Sequence, residues 1–359
     1  MKWGIGAAGA LAVGALSAKG EARAEARPAL PKVSWKKLPL WYGFNLLELF
    51  SAKHARPFLE EDFEWMVEWG FNFVRLPLDY HAWTDPKDPF SYNEKVLKYI
   101  DQAVEWGKKY RIHVCLDLHN APGYRVSHSA GKLSLWDSKE AQRQFDAQWA
   151  MFARRYRSYS SRQVSFDLVN EPAGVSVEKY VAVVKGATRA IRREDPERLV
   201  IADGREWGRE PVPELIPYRV AQSTRGYDPF GLTHYRANWT DKKSNWPKPT
   251  WPMIVRGQTE NKEWLEKKRI EPWKKLAAQG VGVHVGEWGC YNRTPYDVTI
   301  GWMEAVLSLW RDVGWGWALW NLRGPFGIID SQRKDAKYES FHGHQLDRRM
   351  LELLQKMRK

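Results

Sequence analysis

The stretch Val164-Ser-Phe-Asp-Leu-Val-Asn-Glu-Pro172 is a short apolar run that ends in a carboxylate, Glu171, beside a turn-forming proline. A second stretch of the same design, Val281-Gly-Val-His-Val-Gly-Glu-Trp-Gly289, ends in Glu287. Each run has the length and the β-branched content of a buried strand. Parallel α/β barrels present side chains for chemistry at the C-terminal ends of their strands. The two stretches therefore predict two barrel strands whose ends carry acidic side chains.

Apolar runs alternate with helical patterns on both sides of these stretches. Eight short apolar runs begin near residues 40, 71, 113, 164, 199, 231, 281 and 314. The helical patterns between and after them cover residues 60–69, 93–109, 139–159, 177–194, 260–278, 297–312 and 345–357. Strands that alternate with helices indicate βαβ units and a parallel sheet. Eight such units predict an α/β fold, a single (β/α)8 TIM barrel over residues 40–359 with long loops on the C-terminal face.

The connection over residues 236–259 is the longest one and is rich in tryptophan, proline, asparagine and lysine. It leaves the predicted sixth strand, residues 231–235, on the face where the acidic side chains lie. Long connections without a regular pattern are usually functional. We expect this loop to form a wall of a cleft, with Trp239 and Trp246 in contact with the substrate.

Basic residues outnumber acidic ones, and the formal net charge is +13. The basic residues are scattered along the predicted helices and mixed with acidic residues, a pattern typical of solvated helix faces. No zinc finger, RNP motif or basic arm accompanies them. We therefore expect no nucleic-acid partner.

The chain has only two cysteines, and they lie far apart in the predicted fold. Cys115 is inside the third apolar run, and Cys290 follows the second acidic motif. Different barrel strands separate such residues, so we expect two free thiols rather than a disulfide. No cluster with metal-ligand spacing is present, and we expect no metal and no organic cofactor.

Residues 1–26 have the features of a bacterial signal peptide. Lys2 precedes a modestly apolar run over residues 3–16, and small-residue cleavage candidates follow at residues 22–24 and 24–26. An Ala- and Gly-rich tail is the alternative. Residues 27–39 resemble a linker. The apolar run is too short to span a membrane, so we expect a secreted or periplasmic protein without stable membrane insertion.

The ordered motifs resemble those of the retaining family 5 glycoside hydrolases (cellulases, mannanases and relatives), from about residue 40 to the C-terminus. Two carboxylates across a sugar are the minimal equipment for cleaving a glycosidic bond. The resemblance implies a TIM barrel without cofactor in which Glu171 is the acid/base and Glu287 is the nucleophile of a double displacement. The polysaccharide substrate would be a β-glucan or a related polymer, and we expect the enzyme to be a monomer.

The resemblance also implies supporting roles at six further positions. Arg75 and Tyr235 would keep Glu287 ionised, the first by its charge and the second by a hydrogen bond. The other four would lie around the sugar at the cleavage site, with Asn170 on its 2-OH: His119, Asn170, His234 near the acid/base, and Trp320 as a platform.

The substrate is less strongly indicated than the chemistry. The general resemblance favours an endo-β-1,4-glucanase, with a β-mannanase as an alternative. The segment His119-Asn-Ala-Pro-Gly123 is similar to a loop of exo-β-1,3-glucanases in which glycine stands at the position of Asn120. That similarity keeps an exo-β-1,3-glucanase open and makes Asn120 a candidate substrate contact. A non-catalytic carbohydrate-binding protein is the alternative of another class, but it would not need both glutamates and Arg75.

Overall fold

Eight parallel strands close into a barrel in the computed structural model, which describes residues 28–126, 133–240 and 246–358. Each strand pairs with its sequence neighbours, and the first strand pairs with the eighth. The strands, β1 to β8 in chain order, are Tyr42–Asn45, Phe73–Asp79, His113–Asn120, Val164–Asp167, Val200–Asp203, Ala221–Gly226, Val283–Trp288 and Trp317–Leu319. The predicted (β/α)8 TIM barrel is confirmed.

Helices cover the outside of the barrel. The longer ones within the described ranges, α1 to α6, are Glu60–Glu68, Glu94–Tyr110, Lys139–Arg155, Val177–Glu194, Tyr296–Val313 and Arg348–Lys356. Three consecutive helical segments precede β7: Lys262–Leu265, the π-helical turn Glu266–Ile270, and Glu271–Ala277. Short helical turns lie at Ala52–His54, Tyr80–Ala82, Arg205–Gly208, Pro213–Tyr218 and Phe230–Thr233. Two hairpins pair Met253–Val255 with Gln258–Glu260 and Glu339–Phe341 with His344–Leu346.

Side-chain caps determine where several of these helices begin. The side chains of Asn93, Ser138 and Ser176 each accept a hydrogen bond from a backbone N–H in the first turn of α2, α3 or α4. Each bond satisfies a donor that has no partner within the helix. The helices then bury one apolar face against the barrel, as Leu97 and Ile100 of α2 illustrate.

The inside of the barrel changes from apolar at one end to charged at the other. Side chains alternate between the two faces of a strand, so Phe73 and Arg75 of β2 point inward while Val74 packs with the outer core. A buried cluster fills the N-terminal end and consists of Leu38, Trp41, Phe73, Cys115, Leu199, Ile201, Ala221 and Ala318. Further along the barrel Arg75 meets the carboxylates of Asp117 and Asp167. This charged layer lies directly beneath the C-terminal face.

Part of the segment that precedes β1 packs against the barrel. Leu38 is buried in the apolar cluster, and the carbonyl of Trp35 accepts a hydrogen bond of 2.8 Å from the Gly282 amide. Trp35 and Leu38 therefore pack against the N-terminal end of the barrel, within the range 27–39 that the sequence predicts as a linker. The predicted signal peptide, residues 1–26, lies outside the described residues and stays a prediction.

The sixth strand lies earlier in the chain than the sequence predicts, so that prediction is wrong. Residues 231–235 were expected to form it, but β6 is Ala221–Gly226, and Phe230–Thr233 is a helical turn. The true strand is polar in sequence yet buried, because Gln222 bonds both the N–H and the C=O of Val212, and Arg225 is enclosed by charged partners. Buried polar side chains therefore hid the strand from a search for apolar runs.

Both cysteines are free thiols in buried positions, as expected. In the described part of the chain, no helix is long and apolar enough to cross a membrane.

Candidate active site

Glu171 and Glu287 both line a cavity of about 1000 Å³ at the C-terminal face of the barrel. Glu287 lies in β7, and Glu171 follows β4. The backbone of Glu171 has φ 48°, a left-handed conformation that is unfavourable for a residue with a side chain. Its N–H donates to Asp203 Oδ2 at 2.8 Å, and its carbonyl accepts from Tyr124 Oη at 2.6 Å. Hydrogen bonds on both sides thus hold Glu171 in this conformation.

Arg75 holds the Glu287 carboxylate from below. Its Nη1 donates to Glu287 Oε1 at 2.6 Å, and its Nε donates to Asp167 Oδ2 at 2.9 Å. Asn45 Oδ1 also accepts from Nη1, at 3.2 Å. The guanidinium is almost fully buried and keeps its charge at any working pH. The sequence placed Arg75 beside Glu287, and the structure has it there.

Arg225 contacts both glutamates. Its Nε donates to Glu171 Oε1 at 3.2 Å, and its Nη2 lies 3.5 Å from Glu287 Oε1. The pairing of β6 with β7 shifts register between Thr224 and Arg225, which brings Arg225 opposite Glu287. Such irregularities are common next to active sites because they re-aim a side chain.

The two carboxyl groups differ in their affinity for a proton. Burial alone would raise the pKa of Glu287, but the guanidinium groups of Arg225 and Arg75 outweigh it, and the pKa is lowered. Burial, together with the negative charge of Glu287, raises the pKa of Glu171 to about 8, although Arg225 opposes the rise. Glu287 is therefore ionised and Glu171 is protonated near neutral pH, a division of roles that acid/base and nucleophilic catalysis requires.

The tyrosine that donates a hydrogen bond to Glu287 is Tyr227 and not Tyr235. Tyr227 Oη lies 3.2 Å from Glu287 Oε2. Burial raises the pKa of Tyr227, and the charge of Glu287 raises it further, so the hydroxyl keeps its proton and remains a donor. The assignment to Tyr235 was wrong because it followed from the misplaced sixth strand.

An aromatic wall faces the glutamates from β1, β3 and β8. The His119 ring stacks on Trp320 with centroids 5.4 Å apart, and the edge of Phe50 meets both rings. Burial lowers the pKa of His119 to about 3, so the ring is neutral. Its Nδ1 is 3.2 Å from Asp117, and its Nε2 is 3.3 Å from the Asn170 amide nitrogen. The neutral ring thus donates to Asp117 and accepts from Asn170.

The family model of the cellulases, glycosyl hydrolase family 5, matches residues 40–324. The chain belongs to glycosyl hydrolase family 5. Endoglucanase C of Acetivibrio thermocellus is 27% identical to it over 318 residues, which are 81% of this chain and 92% of that protein. A solved structure described as a glycoside hydrolase has a TM-score of 0.85 and 41% identity, and the match covers 89% of this chain and 99% of that one.

A third relative matches this family 5 enzyme over a shorter region. Glucan 1,3-beta-glucosidase 2 of Wickerhamomyces anomalus is 36% identical over 124 residues, which are 32% of this chain and 28% of that protein. Together with the barrel and its two glutamates, the family membership makes the chain a glycoside hydrolase.

The structure distributes the other predicted site residues of this family 5 enzyme over two groups. His119, Asn170, His234, Trp239 and Trp320 line the cavity with the two glutamates. Asn120, Tyr235 and Trp246 are not among the described residues that line it. Asn120 ends β3 opposite Asp79, and Trp246 packs near Phe230, with ring centroids 5.7 Å apart.

His234 was expected near the acid/base, but Arg225 takes that place. The His234 ring stacks on Phe230 with centroids 4.2 Å apart, on the outer wall of the cavity. Its Nδ1 is 3.0 Å from Thr233 Oγ1. The cation beside Glu171 is thus permanently charged, whereas a histidine would titrate.

Sequence reasoning missed Arg225, Tyr227, Asp203 and Trp207. The first two stand in Thr224-Arg-Gly-Tyr-Asp228, where charged and aromatic residues precede a proline. That signal resembles the end of a strand, but no apolar run precedes it. Trp207 lines the cavity and is 44% exposed, which is unusual for so large an apolar side chain.

No group of three or more metal-ligating side chains is arranged to hold a metal ion in the ranges that the structure describes. The aspartates beneath the site are instead engaged by arginines: Asp117 and Asp167 by Arg75, and Asp203 by Arg225.

Proposed function

We propose that this family 5 member is a retaining endo-β-1,4-glucanase in which Glu287 is the nucleophile and Glu171 is the acid/base. The observation that carries the proposal is that the pKa values of two neighbouring carboxyl groups are shifted in opposite directions. Glu287 receives hydrogen bonds from Arg75 and Tyr227, which favour its anion. Burial and the charge of Glu287 raise the pKa of Glu171, which favours its acid form.

The contacts of Arg225 support retention. Its Nε and Nη2 lie on one edge of a single planar group, and they face Glu171 and Glu287 respectively. Carboxylates that share one guanidinium edge lie close together. Retaining enzymes need such closeness, about 5–5.5 Å, because the second carboxylate must reach the anomeric carbon without an intervening water.

In the first step a Glu287 oxygen forms a bond to the anomeric carbon while the bond to the leaving oxygen breaks. Glu171 gives its proton to that oxygen, so the product leaves as an alcohol. Asn170 already donates one amide N–H to His119, which leaves its second N–H for the sugar 2-OH. Such a bond strengthens in the transition state.

In the second step Glu171 removes a proton from water, and the water oxygen bonds to the anomeric carbon as the ester to Glu287 breaks. The charge that raised the pKa of Glu171 is absent while Glu287 is esterified, so Glu171 is a better base at that stage. The free enzyme is then restored with the anomeric configuration retained.

The shape and the aromatic lining of the cavity support a polymeric substrate. Trp207, Phe230 and Trp239 stand along the side that follows β5 and β6, and each is more than 40% exposed. Exposed aromatic rings along an open cleft suit the flat faces of successive sugars. The name of the endoglucanase relative supports a glucan among such polymers, and the resemblance of the ordered motifs favours the β-1,4-linked one.

An exo-β-1,3-glucanase is the second candidate. It is favoured by the segment that begins at His119 and by the local similarity to a glucan 1,3-beta-glucosidase. In that case a closed pocket would hold the single terminal glucose, and the leaving-group side would hold the rest of the glucan chain.

The test is a product profile on carboxymethylcellulose, barley mixed-linkage glucan, glucomannan and laminarin. We expect a rapid fall in viscosity and mixed oligosaccharides from the β-1,4-glucans. Glucose alone, released chiefly from laminarin, would replace the proposal with the exo-β-1,3 activity, and preference for glucomannan would favour a mannanase. Proton NMR of the first product should show the β anomer; an α anomer would exclude retention.

Two variants test the residue assignments. Glu171→Gln is isosteric and removes the acid, so it should abolish polysaccharide hydrolysis while the folded state is kept. Glu287→Gly should be inactive but should form oligosaccharides from an α-glycosyl fluoride donor. An active Glu287→Gly variant with natural substrate would refute the nucleophile assignment.

A further inference from the structure

The guanidinium of Arg225 has a hydrogen-bond acceptor for each of its five N–H groups. Nε donates to Glu171 Oε1 at 3.2 Å. Nη1 donates to Ser223 Oγ at 2.9 Å and to the Thr224 carbonyl at 3.2 Å. Nη2 donates to Asn170 Oδ1 at 2.9 Å and to Asp203 Oδ2. Four of the five bonds go to groups that take no part in bond making or breaking.

We propose that Arg225, anchored by Asp203, is a positioning residue that selects which oxygen of Glu171 carries the catalytic proton and assists its change from acid to base. The inference rests on the proposed roles of Glu171 and Glu287. It concerns how one of them is controlled, and it adds a residue to the reaction that the family resemblance did not supply.

The anchoring does not depend on the state of Glu171. Asp203 Oδ2 accepts from both the Arg225 guanidinium and the backbone N–H of Glu171. One carboxylate oxygen therefore ties the guanidinium to the peptide that carries the acid/base. The distance between Arg225 and Glu171 is fixed through the backbone, and not only by their mutual attraction.

Gly286 makes room for the guanidinium. A Cβ at this position would lie 2.7 Å from Arg225 Nη1 and 2.5 Å from Ser223 Oγ, closer than real Cβ atoms approach. The glycine comes directly before Glu287 at the register shift of β6 and β7. The backbone beside the nucleophile thus has a shape that admits the Arg225 side chain.

The Nε–H bond decides where the proton of Glu171 resides. Glu171 Oε1 accepts from Nε, and a positive group at hydrogen-bond distance disfavours a proton on that oxygen. The proton is therefore directed to Oε2. Glu171 remains able to donate from Oε2 without breaking its bond to Arg225, so no side chain has to rotate during the reaction.

Arg225 also assists the second step, in which Glu171 accepts a proton from water. The charged groups around Glu171 are Glu287 from β7, Asp203 from β5, and the two arginines, Arg225 from β6 and Arg75 from β2. Glu287 loses its charge on esterification, whereas Arg225 does not. Arg225 then acts on Glu171 without the opposing influence of Glu287 and stabilises the carboxylate that must accept a proton from water.

The test uses the full-length enzyme with Arg225→Met, Arg225→Lys and Gly286→Ala. Arg198→Met is the matched control, because Arg198 is also buried and paired, with Asp195, but it precedes β5 at the opposite end of the barrel. Two substrates separate the two chemical steps. Cellohexaose needs a proton from Glu171 for its leaving group to depart, whereas the leaving group of dinitrophenyl β-cellobioside does not. Hydrolysis of the glycosyl-enzyme, the second step, therefore limits kcat for dinitrophenyl β-cellobioside. The pH profiles of kcat and kcat/KM are recorded together with Tm.

For Arg225→Met we expect the acid limb of kcat on the dinitrophenyl substrate to move to higher pH, because Glu171 holds its proton more tightly without the cation. At pH 6 kcat should fall on the order of 100-fold, the scale of general acid–base catalysis. Gly286→Ala should shift the limb in the same direction, and it serves as the second variant if Arg225→Met folds poorly. Arg225→Lys should recover part of the shift, and Arg198→Met should lower Tm only.

Profiles of Arg225→Met and Gly286→Ala that superimpose on wild type, even at a uniformly lower rate, would overturn the inference and make Arg225 a structural residue. Failure of the proposed function is detected separately with Glu171→Ala. That variant should lose cellohexaose hydrolysis. With the dinitrophenyl substrate it should form a β-glycosyl azide, because azide replaces water in attack on the anomeric carbon and Glu287 leaves as a carboxylate. An unimpaired Glu171→Ala variant would refute the acid/base assignment, whatever Arg225 does.

Discussion

Replacing Tyr227 with phenylalanine removes one hydroxyl and leaves the ring in place. Tyr227 Oη is 3.2 Å from Glu287 Oε2, and the ring packs edge-on against His234, with centroids 5.0 Å apart. The substitution therefore deletes a hydrogen bond to the nucleophile with little change in packing. Tyr235→Phe is the matched control, since Tyr235 is a buried tyrosine eight positions further along the chain and does not line the cavity.

The magnitude follows from the charge of the acceptor and the length of the bond. A hydrogen bond to a charged group contributes about 1.5–3 kcal/mol. Because 3.2 Å is long for an O–H···O bond, for which about 2.5–3.0 Å is typical, we take the lower end of that range. The bond stabilises the Glu287 anion, so its loss raises the pKa of the nucleophile by about one unit, at about 1.4 kcal/mol per unit.

The assay is the pH dependence of kcat/KM on cellohexaose. Its acid limb reports ionisation of Glu287 in the free enzyme. In Tyr227→Phe this limb should move to higher pH by about one unit, and the rate below the limb should fall about 10-fold. Tyr235→Phe should match the wild type. An acid limb that moves in Tyr235→Phe and stays in Tyr227→Phe would refute the assignment and the geometry on which it rests.

Two further predictions concern packing and substrate binding. Gly43→Ala would place a Cβ 1.7 Å from the carbonyl oxygen of Phe73, so urea denaturation should show a loss of about 3 kcal/mol or more, or no folded protein. Gly301 lies within α5, and a Cβ there would meet Trp251 at an ordinary contact distance of 3.7 Å. Because glycine destabilises a helix interior relative to alanine, Gly301→Ala should instead raise the free energy of unfolding by about 0.5–1 kcal/mol. Trp207→Ala should raise KM for cellohexaose roughly 5- to 30-fold with little change in kcat, as expected if a sugar covers about 40–80 Å² of the indole at 25 cal/mol per Å². Trp207→Phe should be intermediate, and an unchanged KM in Trp207→Ala would show that the indole does not contact the sugar.

The fold was predictable because seven of the eight strands are apolar runs of ordinary length. In a closed parallel barrel, strands are covered by helices on one face and by each other on the inside, so they read as apolar segments. β6 broke this rule, since Gln222 and Arg225 satisfy their polar groups inside the protein. These hydrogen bonds depend on partners that lie elsewhere in the sequence, so no local sequence pattern predicts them.

The candidate site divides along the same line. Glu171, Glu287 and Trp320 stand at or just after the ends of clearly recognisable strands, and Arg75 lies within another, so their positions followed from the strand pattern. Residues tied to β6 did not, and the error moved from the strand to Tyr235 as soon as the strand was misplaced. The wrong prediction for one strand therefore led to two wrong site predictions: Tyr235 as the tyrosine bonded to Glu287, and His234 as the group beside Glu171.

Carboxyl and guanidinium groups form a buried layer beneath the cavity. Five carboxyl groups and two guanidinium groups contact one another there: Asp117, Asp167, Asp203, Glu171, Glu287, Arg75 and Arg225. Burial raises the pKa of Asp117 and of Asp167 well above the ordinary range, and that of Glu171 to about 8. With Glu171 protonated and Glu287 ionised, the two glutamates together carry one negative charge.

In the proposed mechanism, the first chemical step leaves the total charge of this layer unchanged. Glu287 loses its negative charge when it forms the ester, and Glu171 gains one when it gives up its proton. The net effect is to move one negative charge along one edge of the Arg225 guanidinium, from Nη2 to Nε, while four other hydrogen bonds hold the group in place. A buried site that changed its total charge would need water or side chains to reorganise, whereas a preorganised site that only shifts the charge does not. A fixed cation in contact with both carboxylates suits that transfer better than a histidine, which could itself lose or gain a proton.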